Sequence, residues 1–378
     1  MGGTVLSDWE TPLGEGSSRN GPNGTTGTTS PNGTTGTATG TPRPAEPQRE
    51  HRSATGARTA AGSGTRRHLV HRPRSWEYYG LSAVEDASEE FALAAELPAE
   101  HPLLNDGPGR FHDIQAASEM VREVGEFIGQ NHFGVPANRT GIFYRFGIDV
   151  PDLTAWRTRP GPARLTATLV VSPDKMIGAV PRALDFRTSL EIDEVRCGTG
   201  SANLVFLPPV LRRNHREQSR AAALAAVAEP AAARRGTPVD PAEVGRSNPA
   251  NVLLHGPTWP SHGRLAVGVS VPAQWPPARG AGTDEGHVPA LVLLESLRQA
   301  SLFAALGTHQ LTPARSALAS LQVHFRGYAE TDLAMRCAAV SGLLERDAQG
   351  RRAVPVTLTL TQAGRTVLEA VTKVVEDH

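Results

Sequence analysis

Residues 287–306 read HVPALVLLESLRQASLFAAL, an apolar run interrupted in its middle by Glu295, Arg298 and Gln299. Residues three and four apart share a helical face, so Glu295 lies beside both Arg298 and Gln299 if the run is helical. A helix that is apolar on nearly every side is surrounded by other structure. An ionised carboxylate in such surroundings needs a partner, and the sequence offers one a turn later. The rest of the chain is read as what wraps this helix.

The chain has 378 residues with 39% hydrophobic content, and its formal net charge is zero. No block of basic residues of the nucleic-acid type occurs, which disfavours a DNA or RNA partner. Only Lys175 and Lys373 among the 38 basic residues are lysines, a skew that suggests a GC-rich bacterial coding sequence. Two cysteines, Cys197 and Cys337, make no disulfide framework and show no metal-ligand spacing. They read as reduced core residues. The N-terminus lacks a charged-then-apolar leader pattern. Glu295 and Arg298 near the middle of the one long apolar run argue against a membrane span. The expectation is a cytoplasmic chain with no membrane or nucleic-acid partner, no metal and no cofactor.

Residues 1–66 are rich in Gly, Thr, Pro and Ser and cannot bury enough apolar surface to offset their ordering entropy, so they read as a disordered tail. From about His68 the pattern becomes periodic. Phe91–Leu97 reads as a strand. The segment HDIQAASEMVREVGEFIGQNHFGV then carries Ile114, Ala117, Val121, Val124, Phe127 and Ile128 at helical spacing, stopped by Gly134 and Pro136. Four strand-like runs follow, over Gly141–Val150, Ala163–Val171, Arg182–Ile192 and Asn203–Leu207. Residues 209–248, rich in Ala, Arg and Pro, read as a linker with a short helix around Arg216–Ala228. Beyond them come a strand over Leu265–Val271, the opening helix, and strands over Leu318–Tyr328, Leu333–Leu343, Val354–Gln362 and Thr366–Val375.

The two halves repeat one another. LVHRPRSW (Leu69–Trp76) parallels LLHGPTW (Leu253–Trp259), aligning His71 with His255, two histidines that read as structural. HDIQAASEMVRE parallels HVPALVLLESLRQ, aligning Glu119 with Glu295 and Arg122 with Arg298. Duplication changes the fold expectation. Each half is an α+β unit with one long helix wrapped by a curled antiparallel sheet, one unit over 67–208 and the other over 249–378.

The repeated Glu-x-x-Arg is the strongest candidate for chemistry. On a solvated helix face such a pair is an ordinary ion pair worth tenths of a kcal/mol. Around Glu295 and Arg298 the flanking residues are too apolar for that. A carboxylate there, raised by burial and lowered by its Arg, can act as a base or orient a hydroxyl, and the guanidinium can hold a phosphate or a developing oxyanion. Glu119 and Arg122 sit on a more polar helix. Gln299, His287 and His112 near the helix starts, and Lys175 in the middle of the chain, are candidate substrate-binding groups. His101 precedes the first helix without a counterpart in the second half. No nucleophile elbow, phosphate loop or Cys/His metal cluster is present.

With these residues in place, the chain resembles the A-factor (gamma-butyrolactone) biosynthesis family, the AfsA-type proteins with two hotdog repeats. The carrying motifs are VHR at Val70–Arg72, HDIQAASEMVRE, SPDKMIGAVPRALDFR at Ser172–Arg187 and LLESLRQAS at Leu293–Ser301. The first repeat departs from the family pattern at Ile114–Ala116 and at Glu123. The resemblance implies two hotdog units paired within the chain. It also implies transfer of a β-ketoacyl group from acyl carrier protein to the hydroxyl of dihydroxyacetone phosphate, with the product ester closing to a butenolide. Family Glu and Arg positions fall on Glu119, Arg122, Glu295 and Arg298. A basic rim would dock the acidic carrier protein. The competing readings are a dehydratase or thioesterase acting on carrier-bound acyl chains, and a non-catalytic binder of an acyl ligand.

Overall fold

The computed structural model describes residues 67–72, 88–97, 106, 110–161, 163–225, 236–272, 278–279 and 286–378. The tail expected over residues 1–66 and the candidate His101 lie outside them.

The first half runs β1 (Arg67–Arg72), β2 (Glu89–Leu97), α1 (Gln115–His132), β3 (Thr140–Asp149), β4 (Ala163–Ile177), β5 (Val180–Ile192) and β6 (Val195–Leu207). Helix α2 (Pro209–Ala225) follows, so the short helix expected around Arg216–Ala228 starts earlier. In the second half come β7 (Leu254–Ser261), β8 (Arg264–Val269), β9 (Ala278–Arg279), β10 (Gly286–His287) and α3 (Ala290–His309). The chain then finishes with β11 (Ser316–Phe325), β12 (Met335–Ser341), β13 (Glu345–Arg346), β14 (Arg352–Gln362) and β15 (Arg365–Glu376).

The strand order is β1-β2-β4-β5-β6-β3 in the first half and, read from the other edge, β7-β8-β12-β14-β15-β11 in the second. Position by position this is the same order. The two sets join through an antiparallel β3–β11 ladder that pairs Ile148 with Leu321 and Phe146 with Val323. Every ladder in the sheet is antiparallel. Alternation in β4 buries Leu165, Ala167, Leu169 and Val171 on one face, as a half-buried strand requires. Cys197 and Cys337 are both buried and free, and burial pushes each thiol up to about 12.

Helix α3 packs against β12, β14 and β15, and every residue from Val292 to Ala305 is buried. It is long and apolar enough to cross a membrane, but the protein itself covers its faces. It begins at Ala290 and not at His287 because Pro289 holds the residues before it extended. His287 therefore pairs with Ala278 and bridges Glu330. Gln310, left-handed at φ 58°, closes the other end with its N–H bonded to Leu306 O at 2.8 Å.

Helix α1 lies on the first sheet through Ala117, Met120, Val121 and Ile128, whereas Phe127 is exposed. The face toward the sheet is marked by Gly125 and Gly129. A Cβ at Gly125 would sit 3.0 Å from Leu204, and one at Gly129 would run into the ring of Phe206. Phe127 lies between these two glycines in sequence and so turns to the opposite side of the helix.

Gly129→Val should therefore cost about 1–3 kcal/mol of stability through overpacking, read as a lower denaturant midpoint at unchanged slope. An unchanged midpoint would mean that α1 does not approach β6 this closely.

Candidate active site

Glu295, on the second turn of α3, is completely buried, and its two oxygens take donors from three separate stretches of chain. Oε1 accepts from Arg246 Nε at 2.8 Å and from Gln299 Nε2 at 2.7 Å. Oε2 accepts from Gln115 Nε2 at 2.7 Å and from Arg298 Nε at 3.0 Å, and lies 2.7 Å from Arg246 Nη2. The pairing with Arg298 and Gln299 follows from their spacing along the helix. Arg246 and Gln115 come from elsewhere.

Local turns deliver Arg246. Asp240 caps the short helical turn Pro241–Val244 by accepting from Ala242 N at 2.9 Å, and Gly245 at φ 63° reverses the chain. The carbonyls of Val244 and Gly245 then accept from Arg298 Nη1 at 3.4 Å and Nη2 at 3.2 Å. Asn248 caps the next turn, and Gln299 holds the following segment, donating to Asn251 O and accepting from Leu253 N, each at 2.8 Å. Gln299 is thus an anchor for the backbone, with its amide engaged on both sides.

Asp113, two residues before α1, completes the cluster from the first half. Its Oδ2 lies 2.9 Å from Arg246 Nη2 and its Oδ1 3.5 Å from Arg298 Nε. Asp106 Oδ1 is 3.7 Å from Arg246 Nη1, and its other oxygen accepts from the amide of Asn251. Two guanidinium groups and three carboxylates thus share one buried site at the junction of α1 and α3.

The two central carboxylates titrate in opposite directions. Burial alone raises Glu295, but the charges and hydrogen bonds of Arg246 and Arg298 outweigh it and bring its pKa below the ordinary value of 4.5. Burial also raises Asp113, and there it prevails over Arg298 and Arg246, with Glu295 pushing the same way. Asp113 stays above the ordinary 3.8. Of the two roles expected for Glu295, base or orienting group, its surroundings suit the second. Both of its oxygens are occupied by donors, because the structure surrounds it with two guanidinium groups and two amides.

The first-half pair behaves differently. Arg122 bonds Glu119 through Nε at 2.7 Å and Nη2 at 2.5 Å, with 45% of the Arg122 side chain exposed. Arg122 reaches solvent while Glu119 is half-buried, and neither residue bonds to the Glu295 cluster. His112 is buried, with neither ring nitrogen hydrogen-bonded among the described residues, and burial lowers its pKa. His287 packs edge-on against Tyr328 at 5.2 Å, and burial with the nearby Arg216 brings it down to about 4. Lys175 is exposed near the turn of the β4–β5 hairpin. None of these three joins the cluster. A cavity of about 420 Å³ lies at the β3–β11 seam, lined by Arg145, Gln322, His324, Thr359 and Glu369 among others, all outside the cluster. Sequence reading missed Arg246, Asp113, Gln115 and Asp106. The signal for Arg246 was the pair of Asp-Pro and Asn-Pro turn starts flanking it in a stretch read as linker.

Glu295→Ala should remove about 3–5 kcal/mol by stranding two buried guanidinium groups, while Glu119→Ala should cost under about 1 kcal/mol. Denaturant unfolding of both variants checks this, and equal losses would remove the distinction between the two pairs. The pH dependence follows from linkage. Glu295, depressed in the fold, adds stability above pH 4.5 that is lost as pH falls through its folded pKa. Asp113, raised in the fold, contributes in the opposite sense, its stabilisation fading as pH rises above 3.8 through its folded pKa. Unfolding midpoints should therefore hold or rise as pH falls toward 4.5 and drop below it, with the drop reduced in Glu295→Gln.

The family model described as the A-factor biosynthesis hotdog domain, AfsA, matches residues 227–375. A 2-oxo-3-(phosphooxy)propyl 3-oxoalkanoate synthase of Streptomyces coelicolor is 27% identical over 238 residues, covering 62% of this chain and 70% of that one. A second synthase of the same description, from Streptomyces virginiae, is 26% identical over 268 residues, covering 70% of this chain and 83% of that one. Among solved structures, a 12:0-ACP thioesterase from Umbellularia californica superposes with a TM-score of 0.44 at 12% identity, over 76% of this chain and 94% of that one. Arg246, Glu295 and Arg298 all lie inside residues 227–375, the span that is similar to the A-factor biosynthesis hotdog domain.

Proposed function

We propose that this protein is an acyltransferase of A-factor-like signal biosynthesis, moving a β-ketoacyl group from acyl carrier protein to dihydroxyacetone phosphate. The observation that carries the reading is the shared description of the two Streptomyces relatives, which names the product of that reaction: a 3-oxoalkanoate ester of a phosphorylated three-carbon ketone. The buried charge cluster supports it. Sequestering five charged groups costs stability, and such clusters with displaced pKa values concentrate at functional sites. In the transfer, the acceptor oxygen bonds to the thioester carbon and the carbon–sulfur bond to the carrier breaks. A cytoplasmic location suits a reaction between a carrier-bound acyl chain and a phosphorylated metabolite.

Purified protein incubated with β-ketoacyl carrier protein and dihydroxyacetone phosphate should yield the phosphorylated ester, or the butenolide phosphate formed from it, by mass spectrometry. Free β-keto acid without ester would replace transfer by hydrolysis. Bound but unchanged acyl carrier would reduce the protein to a ligand binder.

A further inference from the structure

We propose that Asp113, contributed by the first half, takes the proton from the acceptor hydroxyl and returns it to the departing thiol, while Glu295 holds Arg246 and Arg298 in place around it. This rests on the transfer reading above. In the step, the hydroxyl oxygen bonds to the thioester carbon as its proton passes to the Asp113 carboxylate. The carbon–sulfur bond then breaks, and the pantetheine sulfur receives that proton.

Access separates the members of the cluster. Glu295, Arg246 and Arg298 have side chains 0%, 2% and 6% exposed, whereas Asp113 is 16% exposed. A substrate atom reaches the cluster most readily at Asp113. Asp113 is also held by fewer donors than Glu295: it faces Arg246 at 2.9 Å and Arg298 at 3.5 Å, whereas Glu295 has five donor contacts at 2.7–3.0 Å. The charge balance agrees. Arg246 and Arg298 carry two positive charges against three carboxylates, Glu295, Asp113 and Asp106, so the site carries one negative charge in excess. Burial raises both central carboxylates, but only Asp113 ends above its ordinary value, which suits a group that takes up and releases a proton.

The loop that carries Asp113 is held rigidly, as a reacting group requires. His112 N bonds Trp156 O and Thr158 N bonds Arg110 O, each at 2.8 Å, and Phe111 bridges Arg157. Arg157 is in turn braced by the buried carboxylate of Asp377, 2.7 Å from its Nη2. Asp113 lies outside residues 227–375, so the site is assembled from both halves of the chain.

The test compares wild type, Asp113→Asn and Asp113→Glu for ester formation and for thiol release from the β-ketoacyl carrier. Asp113→Asn should lower kcat about 100-fold or more with KM values and melting temperature near wild type, and Asp113→Glu should recover part of the rate. The wild-type kcat should fall on acidification along a limb above the ordinary aspartate range, and the Asn variant should lack that limb. An Asn variant within threefold of wild type, or a wild-type profile without the limb, overturns the proposal even if Asn alters folding. Thiol release by wild type without ester refutes the transfer reading alone. In that case loss of release in Asp113→Asn sustains the assignment to Asp113, and undiminished release overturns it. No thiol release by wild type overturns both.

Discussion

A carboxylate at the centre of a waterless helix constrains everything placed around it. Glu295 has no solvent to satisfy it, and leaving it unmatched would cost several kcal/mol. The match comes from Arg298 and Gln299 on its own helix, Arg246 from the preceding segment and Gln115 at the start of α1. Each partner arrives with backbone attached. Arg246 fixes the turn after Pro241–Val244, Gln299 fixes residues 251–253, and Gln115 fixes where α1 begins relative to α3. One buried charge therefore sets the relative placement of two helices and a connecting segment.

The continuous sheet makes this placement durable. β3 and β11 share a ladder, so the two curled sheets form one surface and their helices are held in fixed relation. Inter-strand hydrogen bonds at the seam also cover what would be two exposed edges. The cluster sits where the start of α1 meets α3, so a group from the first half, Asp113, can stand within 3–4 Å of guanidinium groups from the second. Neither half alone contains this arrangement.

The repeated order of elements was legible from the chain because its signals are local. Alternation buries one face of β4, and helical spacing buries Val292 through Ala305. The pairing of Glu295 with Arg298 was legible for the same reason, since a helix brings residues three apart together wherever it forms. The same pattern at Glu119 and Arg122 stands in a different setting. Their spacing is identical, but Arg122 reaches solvent where Arg298 does not, and burial is not encoded in spacing. Phe127 shows the same weakness. It matched the apolar period, yet the close approach of Gly125 and Gly129 to the sheet turns it outward.

By itself, the sequence determined the two helix-and-sheet units, the buried core helix and the acid–base pair along it, because each depends on contacts within a few residues or on strand alternation. Tertiary structure decided which carboxylate is saturated with donors, and it brought Arg246 and Gln115 to that pair from 49 and 180 positions away, together with Asp113 from the first half. The physical reason is that a side chain's charge state depends on every donor and every patch of solvent around it. Those neighbours are chosen by the closing of the sheet, and no short stretch of sequence records them.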